Sequence, residues 1–596
     1  MKSSVVIVGV GPRGLGLLER LHAHCLSGSL PDDLVVHLVD PIGEGVGVHL
    51  ADQPDYLLVN TVAGQITVFA DHTVRGAGPV LFGPSLAQWA NVDANAYLPR
   101  ATLGRYLRFA YRYFLDLLSA SIPVHEHRTR AVAVARRPGG GYRVELAQGA
   151  PLEADFLFLC TGHGRNRLDA PQAALVRWSE AAAARNPLVQ YLPRCYPLAA
   201  LEAIPSSARV AIRGMGLSAN DVVAALSSGR GGVFFRTRHG QLRYAPSGRE
   251  PVLMLFSRQS LPFGARARNQ KGVGGQHQAV FLTRQAIDHA RERRGAARLD
   301  FREDVLPLLV REMAWVMRAA RGLETASLLA SGPRPGEIEQ VMALLDAPDA
   351  HAFADIDAYR AHLDAAMRED LRRAARGNLD DPHKAAADVI RDVRDNLRYA
   401  IEQGGLSAES YRDYLDNFMP VMNRLAVGPP MSRVEEWLAL ADAGVLQFCG
   451  GPGARLECDD AAGCFVVHTR FRERAHRAAA DVLIDARIEA ASLELDDSPL
   501  LGALRAGGLV RPFANGQVVP GGIDIDAHGH PLDAAGQPLE RVWALGNPTE
   551  GANFYTYILP RPQVNSRFIH DAGRAVLEMF AAMCARQPAR DAALSS

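Results

Sequence analysis

Gly9, Gly11 and Gly14 have the types and spacing to hold a pyrophosphate. Gly9 permits a tight turn off the apolar run 5–8, Gly11 lets backbone approach phosphate, and Gly14 lets the next helix pack on the sheet. That helix, expected over 15–23, would turn its N-terminus to the phosphates. The following apolar run, 34–39, ends in Asp40, an acid placed to take two ribose hydroxyls.

A second copy of this plan begins at the run 209–213 and continues into Gly214, Gly216 and Ser218, with Ala219 in the third glycine position. Its next run, 251–256, ends in Ser257 and Arg258 instead of an acid, with Arg266 and Arg268 close behind. A hydroxyl and guanidinium groups suit a 2′-phosphate, whereas a carboxylate would repel it, so this copy points to NADPH over NADH.

These turns need sheets behind them. The segment 124–159 alternates like a strand meander and closes on an apolar run ending in Thr161 and Gly162. A second meander over 446–485 ends on a similar run without the Thr-Gly pair. Near the C-terminus the run 541–545 leads into Gly546 and Asn547, followed by a helix expected over 565–579. The fold class is α/β: two Rossmann-like dinucleotide-binding domains, each with a β-meander, plus a helical insertion in the second. The insertion, 283–443, shows helical periodicity, with Ala386, Val389, Ile390, Val393, Leu397 and Ala400 on one stripe.

The chain has 596 residues, 48% of them hydrophobic, and its 65 basic residues balance 65 acidic ones. That balance gives no argument for a nucleic-acid or anionic-membrane surface. No apolar stretch reaches membrane-spanning length. Seven cysteines without a CxxC spacing suggest a reducing, cytoplasmic setting and no metal site. Only Lys2, Lys271 and Lys384 are lysine among the 65 basic residues, so an internal lysine here is a candidate for a site that needs an ammonium.

The stretches GVGPRGLGLLERL, LVDPIGEGVGVHL, LLVNTVAGQITVFAD, YLPRATLGRYL, IRGMGLSANDVVAALSSGRGG, DPHKAAADVIRDVRDNLR and ALGNPTEGANF together resemble the bacterial FAD/NAD(P)-binding flavoproteins that include the aspartate N-hydroxylases, or nitrosuccinate synthases. The resemblance covers nearly the whole chain. It implies FAD, NADPH and dioxygen as partners of a small amine or amino-acid substrate, with N-oxygenation in natural-product biosynthesis. It implies FAD on Gly9, Gly11, Gly14, Asp40, Asn60, Thr61, Gln65, Gly546 and Asn547, with Pro12, Arg13, Thr161 and Gly162 beside them. NADPH would rest on Gly214, Gly216, Ser218, Ser257 and Arg258. On this reading 1–200 and 491–596 hold FAD, 205–282 and 444–490 hold NADPH, and 283–443 is the insertion. For substrate carboxylates the candidates are Lys271, Lys384, Arg391 and Arg424.

Two other readings stay open on sequence: an NADPH-dependent reductase or oxidase that does not hydroxylate, and a binding protein that retains FAD. Substrate identity and any homo-oligomer are likewise open.

Overall fold

Each glycine turn leaves the C-terminal end of the middle strand in a five-stranded parallel sheet. The computed structural model describes residues 2–31 and 33–594. In the first sheet the middle strand is β1 (Ser3–Val8), flanked by β2 (Leu34–Val39) and by β7 (Phe156–Leu159). The outer strands are β3 (Val124–His127) and β18 (Val542–Ala544). β1 and β7 are buried along almost their whole length, as continuous apolar runs in a parallel sheet require. The helix Pro12–Leu26 covers one face and packs on the helices Arg100–Ser121 and Arg567–Leu594. The last of these runs well past the expected 565–579.

The second sheet repeats the order. β9 (Arg209–Arg213) lies between β12 (Val252–Phe256) and β17 (Val482–Asp485), with β8 (Gln190–Leu192) and β13 (Leu446–Phe448) outside. β8 falls within the span 1–200 read as part of the first domain, yet it pairs with β17. Its three residues were too short a run to stand out.

Each unit carries a three-stranded antiparallel meander. The first is β4 (Ala131–Arg136), β5 (Tyr142–Leu146) and β6 (Leu152–Ala154); the second is β14 (Arg455–Asp459), β15 (Cys464–Arg470) and β16 (Ala475–Ala480). β3 and β13, read from sequence as meander strands, belong to the parallel sheets. A hairpin, β10 (Val233–Arg236) and β11 (Leu242–Ala245), precedes β12. Between β12 and β13 the chain is helical. The helix Pro382–Asp392 buries Ala386, Val389 and Ile390 of the expected stripe, with Ala385, against the helix Leu306–Ala320, whereas Leu397 and Ala400 are buried by a separate helix, Arg394–Ile401. No described helix is long and apolar enough to cross a membrane.

Candidate active site

The first turn has a shape that a nucleotide phosphate fits. Gly9 has φ +88°, and a Cβ there would lie 2.3 Å from the Cys160 carbonyl oxygen. A Cβ on Gly14 would lie 2.3 Å from the Gly9 oxygen, and one on Gly11 would lie 3.2 Å from Gly47 Cα. A side chain is therefore excluded at Gly9 and Gly14 and would be tight at Gly11. The helix that follows has Gly11 as its N-cap with no side-chain cap, so its first N–H groups remain available to an anion. Asp40, directly after β2, accepts from the backbone N–H of Val10 at 2.8 Å and of Ile42 and Gly43 at 2.9 and 2.7 Å. These bonds fix its carboxylate at the end of the strand.

Arg13 leans over the Phe568 ring at 4.1 Å and donates to the Thr556 carbonyl at 3.0 Å. Burial lowers its guanidinium to about 10, against the opposing charge of Asp571. Gly546, at φ +84°, leaves room for it: a Cβ there would meet Arg13 Cγ at 2.8 Å. Asn547 is buried beside it, and Gly162, at φ +70°, lies just past the end of β7. The structure thus gathers Gly9 to Gly14, Thr161, Gly162, Gly546 and Asn547 at one end of one sheet. Burial pushes the Cys160 thiol up to about 12, so it carries no thiolate at neutral pH.

The second turn is built the same way. Gly214 has φ +142°, and a Cβ there would meet the Ala486 oxygen at 2.4 Å, the counterpart of Gly9 over Cys160. Gly216 caps the helix Leu217–Leu226 with no side-chain cap, and Ser218 is buried in its first turn. Gly216 packs against the Phe263 ring, 2.9 Å from where its Cβ would be. Ser257 follows β12 as Asp40 follows β2. Its neighbour Arg258 is exposed and donates to the Asp416 carbonyl at 2.5 Å. The residues present fit two nucleotides, one at each turn.

A polar cleft of about 390 Å³, counting its open mouth, is lined by residues of both units. Val62 and Gln65 come from the first unit together with Tyr97, and Arg561 comes from the C-terminal segment. The loop after β12 gives Arg266 and Lys271, and the helix Pro382–Asp392 gives Asp388, Arg391 and Asp392. Helical spacing sets the last three on one face, opposite the buried stripe. Gln65 Nε2 donates to the Gly272 carbonyl at 3.3 Å, tying the first unit to this loop. Asn60 and Thr61 sit just before Val62, half-buried.

Lys271 Nζ donates to Asp388 Oδ2 at 2.7 Å and to Asp392 Oδ2 at 2.6 Å. Asn378 and Arg391 also donate to Asp388, at 2.9 and 3.0 Å. Burial opposes its ionisation, but Lys271 and then Arg391 outweigh that and hold the carboxylate well below its usual range. Asp388 is therefore a fixed anion and a poor base. Burial likewise disfavours the Lys271 ammonium, and the two aspartates more than offset it.

Arg266 and Arg561 differ, because neither is ion-paired with a carboxylate among the described residues. The Arg266 side chain bonds only through Nε, to the Gly428 carbonyl at 3.3 Å. Burial and then the charge of Arg391 lower it to about 10. Arg561 bonds to the carbonyls of Val273 and Gly275, both at 2.9 Å, and burial lowers it too. These are cations without a counter-ion in a concave site, the arrangement expected of a receptor for carboxylates.

Of the four residues read as substrate candidates, the structure brings Lys271 and Arg391 into the cleft. Lys384 instead donates to Asp370 Oδ1 at 2.5 Å and to the Ala265 carbonyl at 2.8 Å. Asp370 in turn accepts from Ala265 N–H at 2.7 Å, so this pair fixes the backbone next to Arg266. Arg424 is taken up by the carbonyls of residues 344–346. Arg266, read from sequence with the 2′-phosphate group, lines the cleft. Arg561 carried no sequence signal, since it lies outside every motif.

Residues 6–164 match a family model described as FAD-NAD(P)-binding. An L-aspartate N-monooxygenase (nitrosuccinate-forming) from Streptomyces cremeus is 36% identical, over 98% of this chain and 96% of that protein. A similarly named enzyme from Streptomyces davaonensis is 34% identical, over 96% of each chain. A nitrosuccinic acid synthase from Aspergillus oryzae is 33% identical, over 95% of this chain and 91% of its own length.

Proposed function

The chain belongs to the family of the L-aspartate N-monooxygenases that form nitrosuccinate, and on that footing we propose that it N-oxygenates the amine of L-aspartate, using FAD, NADPH and dioxygen. The observation that supports aspartate as substrate is the cleft, where two guanidinium groups lack a counter-ion and two carboxylates are already neutralised. A ligand with two carboxylates meets that demand, whereas a cationic diamine would face Arg266 and Arg561 unscreened.

FAD would rest on Gly9, Gly11, Gly14, Asp40, Gly546 and Asn547, and NADPH on Gly214, Gly216, Ser218, Ser257 and Arg258. Flavin, when bound, supplies the passage of electrons from nicotinamide to dioxygen. The protein's own part is binding and orientation. Arg266 and Arg561 receive the substrate carboxylates. Lys271 holds Asp388 and Asp392 in place, and Asp388 positions Arg391 through its 3.0 Å bond. Tyr97, whose pKa burial raises, offers a neutral hydroxyl at the same wall. The seven free cysteines support a reducing, cytoplasmic setting.

The test is NADPH consumption and product mass with L-aspartate, L-asparagine and L-ornithine. We expect an N-oxygenated product from aspartate and little from the other two. Consumption that is independent of the amino acid, with hydrogen peroxide as the only product, would overturn the reading.

A further inference from the structure

An ammonium has no lone pair to accept oxygen, so an amine substrate must lose a proton before it reacts. The usual device is a general base, and the carboxylates in this cleft are poorly suited to that role. Asp388 and Asp392 both accept from Lys271. Asp388 also accepts from Asn378 and Arg391, and Asp392 from the backbone N–H of His277 at 2.9 Å. Lys271 is an ammonium already.

The charge count points elsewhere. From the loop after β12 come Arg266 and Lys271, from the insertion helix Arg391, and from the C-terminal segment Arg561. Facing these four cations are Asp388 and Asp392, with Tyr97 neutral on the remaining wall. Behind Asp392 the His277 ring meets Glu312, and Arg394 stacks on Tyr555 at 4.0 Å. Among the residues that line it, the cleft therefore carries two positive charges in excess. A dicarboxylate amino acid brings one net negative charge as the ammonium form and two as the free amine. Only the free amine neutralises the site.

We propose that the cleft selects the amine-unprotonated dianion of its substrate, so that binding itself drives the proton off to solvent without a general base. This rests on aspartate being the substrate. The N–H bond of the ammonium breaks heterolytically, the electron pair stays on nitrogen, and the proton passes to water or buffer. No oxidation or reduction accompanies it. Once both carboxylates are seated, an ammonium would leave one positive charge in excess, which disfavours the protonated form. Removal of the amine from water acts in the same direction.

The test is calorimetric titration of the oxidised holoenzyme with L-aspartate at about pH 8, in buffers of different ionisation enthalpy, with succinate as the control. Succinate carries the same two carboxylates and no amine. We expect close to one proton released per aspartate bound, none with succinate, and a reduced release in Arg561→Gln. Aspartate binding without proton release, or equal release with both ligands, overturns the proposal while leaving aspartate as the ligand. Failure of aspartate to bind while succinate does overturns the substrate reading, and the proposal with it.

Discussion

Arg100 Nη1 lies 2.6 Å from Asp221 Oδ2, and this ion pair joins the two nucleotide-binding units at the helix that starts from the second glycine turn. Arg100 opens the helix Arg100–Ser121 of the first unit and also donates to the Leu58 carbonyl at 3.2 Å. The Tyr196 hydroxyl donates to the same carboxylate. Because Asp221 is almost fully buried, the contact is screened far less than a surface pair. A double-mutant cycle of Arg100→Met and Asp221→Asn in chemical denaturation should give a coupling of about 1–3 kcal/mol. Additive effects would mean that the pair does not couple the units.

Lys271→Met leaves Asp388 and Asp392, one helical turn apart, without their shared cation. Removing one partner of a largely buried pair costs about 3 kcal/mol. A lowered melting temperature and a raised KM for the amino acid are expected, with flavin occupancy unchanged. An unchanged KM would remove Lys271 from the substrate side of the account.

Gly11→Val puts a branched side chain where Cβ already meets Gly47 Cα at 3.2 Å and where phosphate is assigned. Flavin affinity should fall at least about tenfold, near 1.4 kcal/mol. The ratio of flavin to protein absorbance after purification reads this directly, and full occupancy would refute the assignment of the first turn.

Arg258→Ala should raise the KM for NADPH about tenfold and leave that for NADH nearly unchanged, since a charge-assisted phosphate contact is worth about 1.5–3 kcal/mol. Equal effects on both would detach Arg258 from the 2′-phosphate.

Glu312 is buried and accepts from the N–H groups of residues 280–282 and from His277. Burial raises its pKa, but those hydrogen bonds outweigh it and leave the net value below normal. A depressed folded value means that the stabilisation is present above the unfolded value, about 4.3, and is lost as pH falls below it. Glu312→Gln should cost about 2 kcal/mol at neutral pH, a gap that narrows below about pH 4. A gap independent of pH would show that the ionised form is not what holds this loop.

The glycine turns were legible because each requires a residue without Cβ, and the atoms that exclude one, the Cys160 and Ala486 carbonyls, directly follow the return strands also visible in sequence. The long apolar runs of β1 and β7 were legible for the same local reason. β8 was not, because three residues have no periodicity and its partner β17 lies far along the chain. In the cleft, Lys271 stood out against an arginine-rich background, whereas Arg561 looked like any other arginine and Arg266 was grouped with the 2′-phosphate residues. What distinguishes them is the lack of an ion-pair partner, which only the folded chain reveals. Lys384 shared the signal of Lys271, but it serves the backbone at Ala265.

The proposed reaction places oxygen from dioxygen on the nitrogen of aspartate. Turnover of the holoenzyme with NADPH, L-aspartate and isotopically heavy dioxygen, followed by mass spectrometry, tests it most directly. Heavy oxygen bound to the substrate nitrogen in the product is expected. Unlabelled aspartate recovered intact, with all the label in hydrogen peroxide, would contradict it.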